Sequence, residues 1–180
     1  LALAKKRNER VFYLGGILLL LAGIAVTVRA RKKSEKLLLN ILPAKVAEEL
    51  KAKGHSDAKL FDAVTVLFTD FVDFTSAGEH LGSQQLVHEL DICFKAFDGI
   101  TAKYNIEKIK TIGDAYLAVC GLPVADAQHA ENVVAAAKEI IGFMKSRRDQ
   151  LGDKTFEVRV GIHSGEVVAG IVGVKKFAYD

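Results

Sequence analysis

Two aspartates and an arginine stand where apolar runs end in this 180-residue chain: Asp70 in "FTDFVDFTS", Asp114 in "KIKTIGDAYLAV" and Arg159 in "EVRVGIHSG". Taken singly, each aspartate reads as a strand-end or hairpin-tip turn residue. Taken together, two carboxylates brought to one sheet edge suit a divalent cation, because Mg²⁺ is commonly held by one or two carboxylates plus substrate phosphates. The stretch "FVDFT" between them offers consecutive backbone N–H groups entering a helix, with the Thr75 hydroxyl beside them, and such turns bind phosphate. Arg159 alternates with Val158 and Val160, so its guanidinium leaves the apolar face, either as a phosphate clamp or as a solvated arginine. The common phosphate loops GxxxxGK[ST] and GxGxxG are absent from the sequence, as is HExxH, and the five histidines show no paired ligand spacing.

These residues need elements to carry them. "AVTVLFTD" is β-branched and apolar, and Leu86, Leu90, Phe94, Phe97 and Ile100 follow at helical spacing. "IEKIKTIGDAYLAVCG" predicts a β-hairpin turning at Gly113 and Asp114, with Lys108 and Lys110 alternating with Ile109 and so both pointing off the buried face. A second helix follows, with Ala130, Val133, Val134, Ala137, Ile140, Ile141 and Met144 in one stripe and Asp126 as its N-cap. "FEVRVGIHSGEVVAGIVG" then predicts two strands either side of His163, Ser164 and Gly165. The order is βαββαβ, a ferredoxin-like α/β (α+β) sandwich with an extra strand near its end. That fold hosts many functions, so function has to come from the site.

Ahead of this domain, expected over residues 61–180, the composition changes. Residues 11–28, "VFYLGGILLLLAGIAVTV", carry no charge, and at about 1.5 Å per residue they just span a hydrocarbon core. A buried helix or a signal-peptide core is the alternative, but the block is long for the latter and runs on into a charged helix. Residues 1–10 form a basic flank (Lys5, Lys6, Arg7, Arg10), and Arg29, Arg31, Lys32, Lys33 and Lys36 follow the block. This slight excess favours a cell-membrane protein whose C-terminal side is cytoplasmic. The net charge of +3 comes largely from these flanks, so it gives no reason to expect a nucleic-acid partner. Residues 29–54 predict an amphipathic connector helix, with Leu38, Leu42, Val46 and Leu50 at four-residue steps, Pro43 in a first turn and Gly54 as a C-terminal cap. It is either a short amphipathic helix or one that pairs with a second copy. Cys93 and Cys120 have no CxxC spacing and are expected to be buried, reduced thiols. The chain opens on Leu1 and stops at Asp180 without a turn or helix signal, and is expected to be part of a longer one.

"VTVLFTDFVDFT", "KIKTIGDAYLAV" and "RVGIHSGEVVAGIVG", in that order and at these separations, resemble the catalytic domain of the class III nucleotidyl cyclases. "LLLNILPAKVAEELK" is similar to the segment preceding it in membrane-anchored members, so the resemblance covers about residues 37–180. It implies a two-metal enzyme, with Asp70, Asp114 and the Phe71 carbonyl as ligands to Mg²⁺ or Mn²⁺. It also implies that the loop through Phe74 and Thr75 holds the β- and γ-phosphates, and that Arg159 offsets polyphosphate charge. The bound metals would activate the ribose 3′-hydroxyl and neutralise the leaving pyrophosphate.

In the family the base is read at the positions of Lys110 and Asp180. Lysine only donates and carboxylate only accepts, which suits the N1 acceptor and N6 donor of adenine, whereas guanine demands the opposite pair. The resemblance therefore implies an adenylate cyclase acting on ATP, as a head-to-tail homodimer whose metal aspartates and base readers come from different subunits. A cyclase-like regulatory module without turnover, or a guanylate cyclase, is the alternative; no GGDEF-like hairpin occurs to suggest a diguanylate cyclase. Asp73 departs from the glycine many members carry. The family's transition-state Asn and Arg would lie past Asp180, so the domain is expected to be truncated at its C-terminus.

Overall fold

The computed structural model describes the backbone of residues 2–39, 41–173 and 178–180, and the side chains of residues 15–17, 20–39, 41–173, 179 and 180. Residues 1–47 and 48–180 form separate compact units. In the first, a single helix, α1 (Ala2–Leu39), contains the whole apolar block. The basic flank over residues 1–10, and residues 11–14, 18 and 19 of the expected membrane span, lie outside the residues whose side chains are described. Among the described residues no helix is long and apolar enough to cross a membrane.

The expected connector over 29–54 is not one helix. Its first part belongs to α1, and a new helix, α2 (Ala44–Lys53), begins after Pro43. Proline fixes its own backbone and disfavours the helical conformation in the residue before it, so a helix starts at this position more readily than it continues through it. Gly54 ends α2 at φ +77°, its N–H donating to the Leu50 carbonyl at 2.9 Å.

The second unit is built on β1 (Lys59–Phe71), β2 (Glu107–Ile112), β3 (Ala115–Cys120) and β4 (Val158–Ala169). These form one antiparallel sheet in the order β2-β3-β1-β4. That is the order expected of the split βαβ units read from the sequence, and β1 occupies an inner position. The strand-to-helix crossover after β1 contains two helices, α3 (Phe74–Leu81) and α4 (Ser83–Lys103), separated by Gly82 at φ +71°. The second crossover is α5 (His129–Leu151).

One face of the sheet meets the helices. Leu67, Phe71, Tyr116, Ala118 and Cys120 from the strands pack with Cys93, Phe97, Ile100, Val133, Ala136 and Ile140. Cys93 and Cys120 are free and buried, as expected, and burial pushes the Cys93 thiol up to about 12. Of the stripe predicted for α5, Val133, Ala137, Ile140 and Met144 are buried, with Ala136 added, whereas Val134 and Ile141 are exposed, and the N-cap is Gln128, not Asp126. Asp126 lies before the helix and accepts hydrogen bonds from the Gln128 N–H (2.8 Å) and from Asn132 Nδ2 (3.1 Å). An aspartate closes such a turn as readily as it caps a helix.

Two other expectations change. The segment read as two strands around His163 is one strand: Val64 pairs with Gly165 and Val66 with His163, so the ladder on β1 runs through the glycine. The length of β1 decides this, because β4 finds partners on it from Lys59 to Phe71, with one shift of register between Phe61 and Val64. Also, Lys108 and Lys110 do not share a face. Lys108 lies opposite Ala118 and Lys110 opposite Leu117, with Ile109 extra between them as a β-bulge. One added residue reverses the alternation. Lys108 therefore turns to the helical layer, donates to Asp98 at 2.7 Å and sits 4.9 Å over the Tyr116 ring. Lys110 turns to the helix-free face. The extra strand near the end of the chain is a two-stranded ladder, β5 (Ile171–Val172) with β6 (Ala178–Tyr179).

Candidate active site

Asp70 is the last residue but one of β1, directly opposite Arg159 on β4, and the two side chains form an ion pair. Both point away from the helical layer, because Phe71 and Val158, next in register, pack into the core. Phe71 ends β1 with its ring buried against Phe156, centroids 4.7 Å apart. A side chain locked in this way fixes the direction of its own carbonyl.

From there the chain turns through Val72 and Asp73 into α3. Asp73 adopts a left-handed conformation (φ 50°, ψ 35°) and makes no side-chain capping bond. An aspartate tolerates this region better than most residues. The Val72 N–H is already used, donating to the Glu157 carbonyl at 2.9 Å. The donors left for an anion are thus those of the first turn of α3, which helix geometry leaves without intrahelical partners.

Asp114 stands in the turn of the β2–β3 hairpin, after Gly113 at φ +64°. The antiparallel pairing of β3 with β1 brings that turn beside the end of β1. Asp70, Phe71, Phe74, Thr75, Asp114 and Arg159 consequently line one cleft of about 490 Å³, together with Asp73, Ser76 and Glu79. Six of the eight site residues expected from sequence meet here. Glu79 and Ser76 were not foreseen; both follow from the first turns of α3 facing the cleft, and a helix assigned to "FTSAGEHL" is the signal that would have found them.

The other two expected residues are elsewhere. Lys110 Nζ lies 2.6 Å from Asp180 Oδ2, and neither residue lines the cleft. The donor and the acceptor that the resemblance implied as a pair are therefore neighbours in space, although seventy positions separate them.

The donor set suits a hard divalent cation: two carboxylates and a main-chain carbonyl are oxygen ligands of the kind that Mg²⁺ and Mn²⁺ take. Among the described residues no three His, Cys, Asp or Glu side chains gather as a cage, so a cation at Asp70 and Asp114 would complete its shell with substrate or water. What the arrangement can do is hold a polyphosphate and its metal at the edge of a sheet, with Arg159 available to its negative charge.

Comparison with known proteins agrees. The family model of the adenylate and guanylate cyclase catalytic domain matches residues 56–180. Human "Atrial natriuretic peptide receptor 2" is 38% identical over 156 residues, covering 83% of this chain and 14% of the receptor. "Adenylate cyclase" of Mycobacterium tuberculosis is 36% identical over 157 residues, covering 87% of this chain and 35% of that protein. The chain thus spans only a minor part of the length of either relative. Among solved structures, the guanylate cyclase domain of RhGC from Catenaria anguillulae in complex with GTP is 31% identical with a TM-score of 0.63, over 68% of this chain and 66% of that one. Since the family model takes in the sheet, both crossovers and every residue of the cleft, the chain belongs to the adenylate and guanylate cyclase catalytic domain family.

Proposed function

We propose that the chain is the catalytic part of an adenylate cyclase that converts ATP to 3′,5′-cyclic AMP and pyrophosphate at a homodimer interface. The convergence of Asp70, Asp114 and Arg159 with the N-terminus of α3 on one cleft carries this reading. Two Mg²⁺ or Mn²⁺ ions held by Asp70, Asp114 and the Phe71 carbonyl would supply activation of the ribose 3′-hydroxyl and neutralise charge on the leaving group. The first-turn amides of α3 and the Thr75 hydroxyl bind the terminal phosphates. Arg159, 66% exposed and free to swing from Asp70, offsets their charge. Catalysis is then mostly positioning and electrostatics.

Preference for ATP is supported by the pairing of Lys110 with Asp180, a donor beside an acceptor. The homodimer is supported by the divergence of Lys110 and Asp114. Four residues apart, they address different surroundings, and the helix-free face between them exposes Phe68. Membrane attachment through residues 11–28, with the domain on the cytoplasmic side, completes the proposal and rests on the charge-free block and its basic flanks.

The test is product formation from ATP and GTP by the full-length protein, with Mn²⁺ and with Mg²⁺. Cyclic AMP as the main product is expected, with discrimination against GTP approaching about 10⁴ where the base site is tight. Cyclic GMP formed from GTP as the main product would transfer the protein to the guanylate cyclases, and nucleotide binding without product would make it a regulatory module. Mixing Lys110→Ala with Asp114→Ala chains should restore up to one working site per mixed dimer; no recovery would count against the shared site.

A further inference from the structure

We infer that Glu89, Arg147 and Thr155 are positioning residues for the cleft, acting from behind it through the strap of residues 155–157; this rests on the cyclase reading above. Glu89 lies on α4 with its side chain 8% exposed. Arg147 of α5 donates to it through Nε and Nη2, Thr155 Oγ1 donates at 2.6 Å, and Cys93 Sγ approaches at 3.9 Å. Burial works to raise the pKa of this carboxyl, but the hydrogen bonds from Arg147 and Thr155 outweigh it and hold the group below its ordinary value. Apolar side chains could join α4 to α5 as well as this ion pair does. What they could not supply is an oriented acceptor for Thr155.

The two residues after Thr155 show what that orientation serves. The Phe156 ring is buried between those of Phe71 (4.7 Å) and Phe74 (5.3 Å), the residues that flank the loop lining the cleft. The Glu157 carbonyl then accepts the Val72 N–H at 2.9 Å. Three consecutive strap residues thus grip Glu89, the rings on both sides of the loop, and the loop backbone. That loop needs outside support, since Asp73 is left-handed and supplies no capping bond. Partners standing behind metal ligands commonly change metal affinity by about 10-fold or more when removed.

The experiment is Mn²⁺ binding by electron paramagnetic resonance, on the full chain in detergent with a non-hydrolysable ATP analogue. Thr155→Val keeps the side-chain shape and deletes the hydroxyl; it is expected to raise half-saturating Mn²⁺ about 10-fold, and Thr155→Ser to restore binding. Ile140→Val, in the same core but away from the strap, should lower the melting temperature without moving Mn²⁺ binding. Unchanged binding in Thr155→Val, or an equal shift in Ile140→Val, would overturn the inference while leaving the cleft reading intact. Failure of the unmodified chain to bind Mn²⁺, or undiminished binding in Asp70→Asn, would overturn both.

Discussion

Replacing Asp70 by asparagine is expected to reduce cyclic nucleotide formation by about 10² to 10³ or more, while the protein melts within a few degrees of the parent. The two effects separate because the carboxylate has different values in its two settings. In the folded chain it pairs with an Arg159 that is 66% exposed, and exposed ion pairs contribute only about 0 to 1 kcal/mol. In the active site it would supply a formal charge to a cation, which an amide cannot do. Product assays beside thermal melts check both halves. Retention of more than about a tenth of the activity would remove Asp70 from the metal site, since the loss expected there is at least 10²-fold. A large drop in melting temperature would instead make Asp70 a structural residue of the β1–β4 pair.

The largest effect on stability is expected at Arg147. Removing it as Arg147→Ala leaves Glu89 buried without its main partner, which costs about 3 to 5 kcal/mol in comparable pairs. For a unit of this size that corresponds to a fall in melting temperature of roughly 10 °C or more. The pH dependence should also change sign. With Arg147 present, the folded-state pKa of Glu89 is depressed. Its contribution is complete above the ordinary carboxylate value and is lost only as pH falls through the lower, folded value. With Arg147 gone, burial dominates and the folded-state pKa rises above the unfolded one, so the variant should gain stability as pH falls from 7 toward 5. Melts of both proteins across that range test this. A variant that lost no stability at pH 7, or lost more at pH 5, would mean that Glu89 is not held as a buried carboxylate by Arg147. The double variant Glu89→Leu/Arg147→Met should recover much of the loss, because well-packed apolar groups can replace such a pair.

Much of this was legible because its determinants are local. A β-branched apolar run ending in a carboxylate predicts a strand with Asp70 at its tip, and Gly113 before Asp114 predicts a turn that presents the second carboxylate. The Ile109 bulge was not legible, since nothing in "KIKTIG" distinguishes strict alternation from one added residue. The partner strand decides it, and with it the separation of Lys108 from Lys110. The continuity of β4 through Gly165 depends in the same way on how far β1 extends beside it.

By itself the sequence pointed to the strand, helix, hairpin, helix, strand order and to Asp70, Asp114 and Arg159, while the pairing of Lys110 with Asp180 was implied by the family resemblance. Side-chain chemistry and short-range periodicity are written into neighbouring residues. Tertiary structure alone decided which of these meet, where the α3 side chains Ser76 and Glu79 enter the cleft, and that Glu89 finds Arg147 and Thr155 from positions more than fifty residues away. A buried charge is stable only where several elements converge to satisfy it, and that convergence is a property of packing that no stretch of sequence contains.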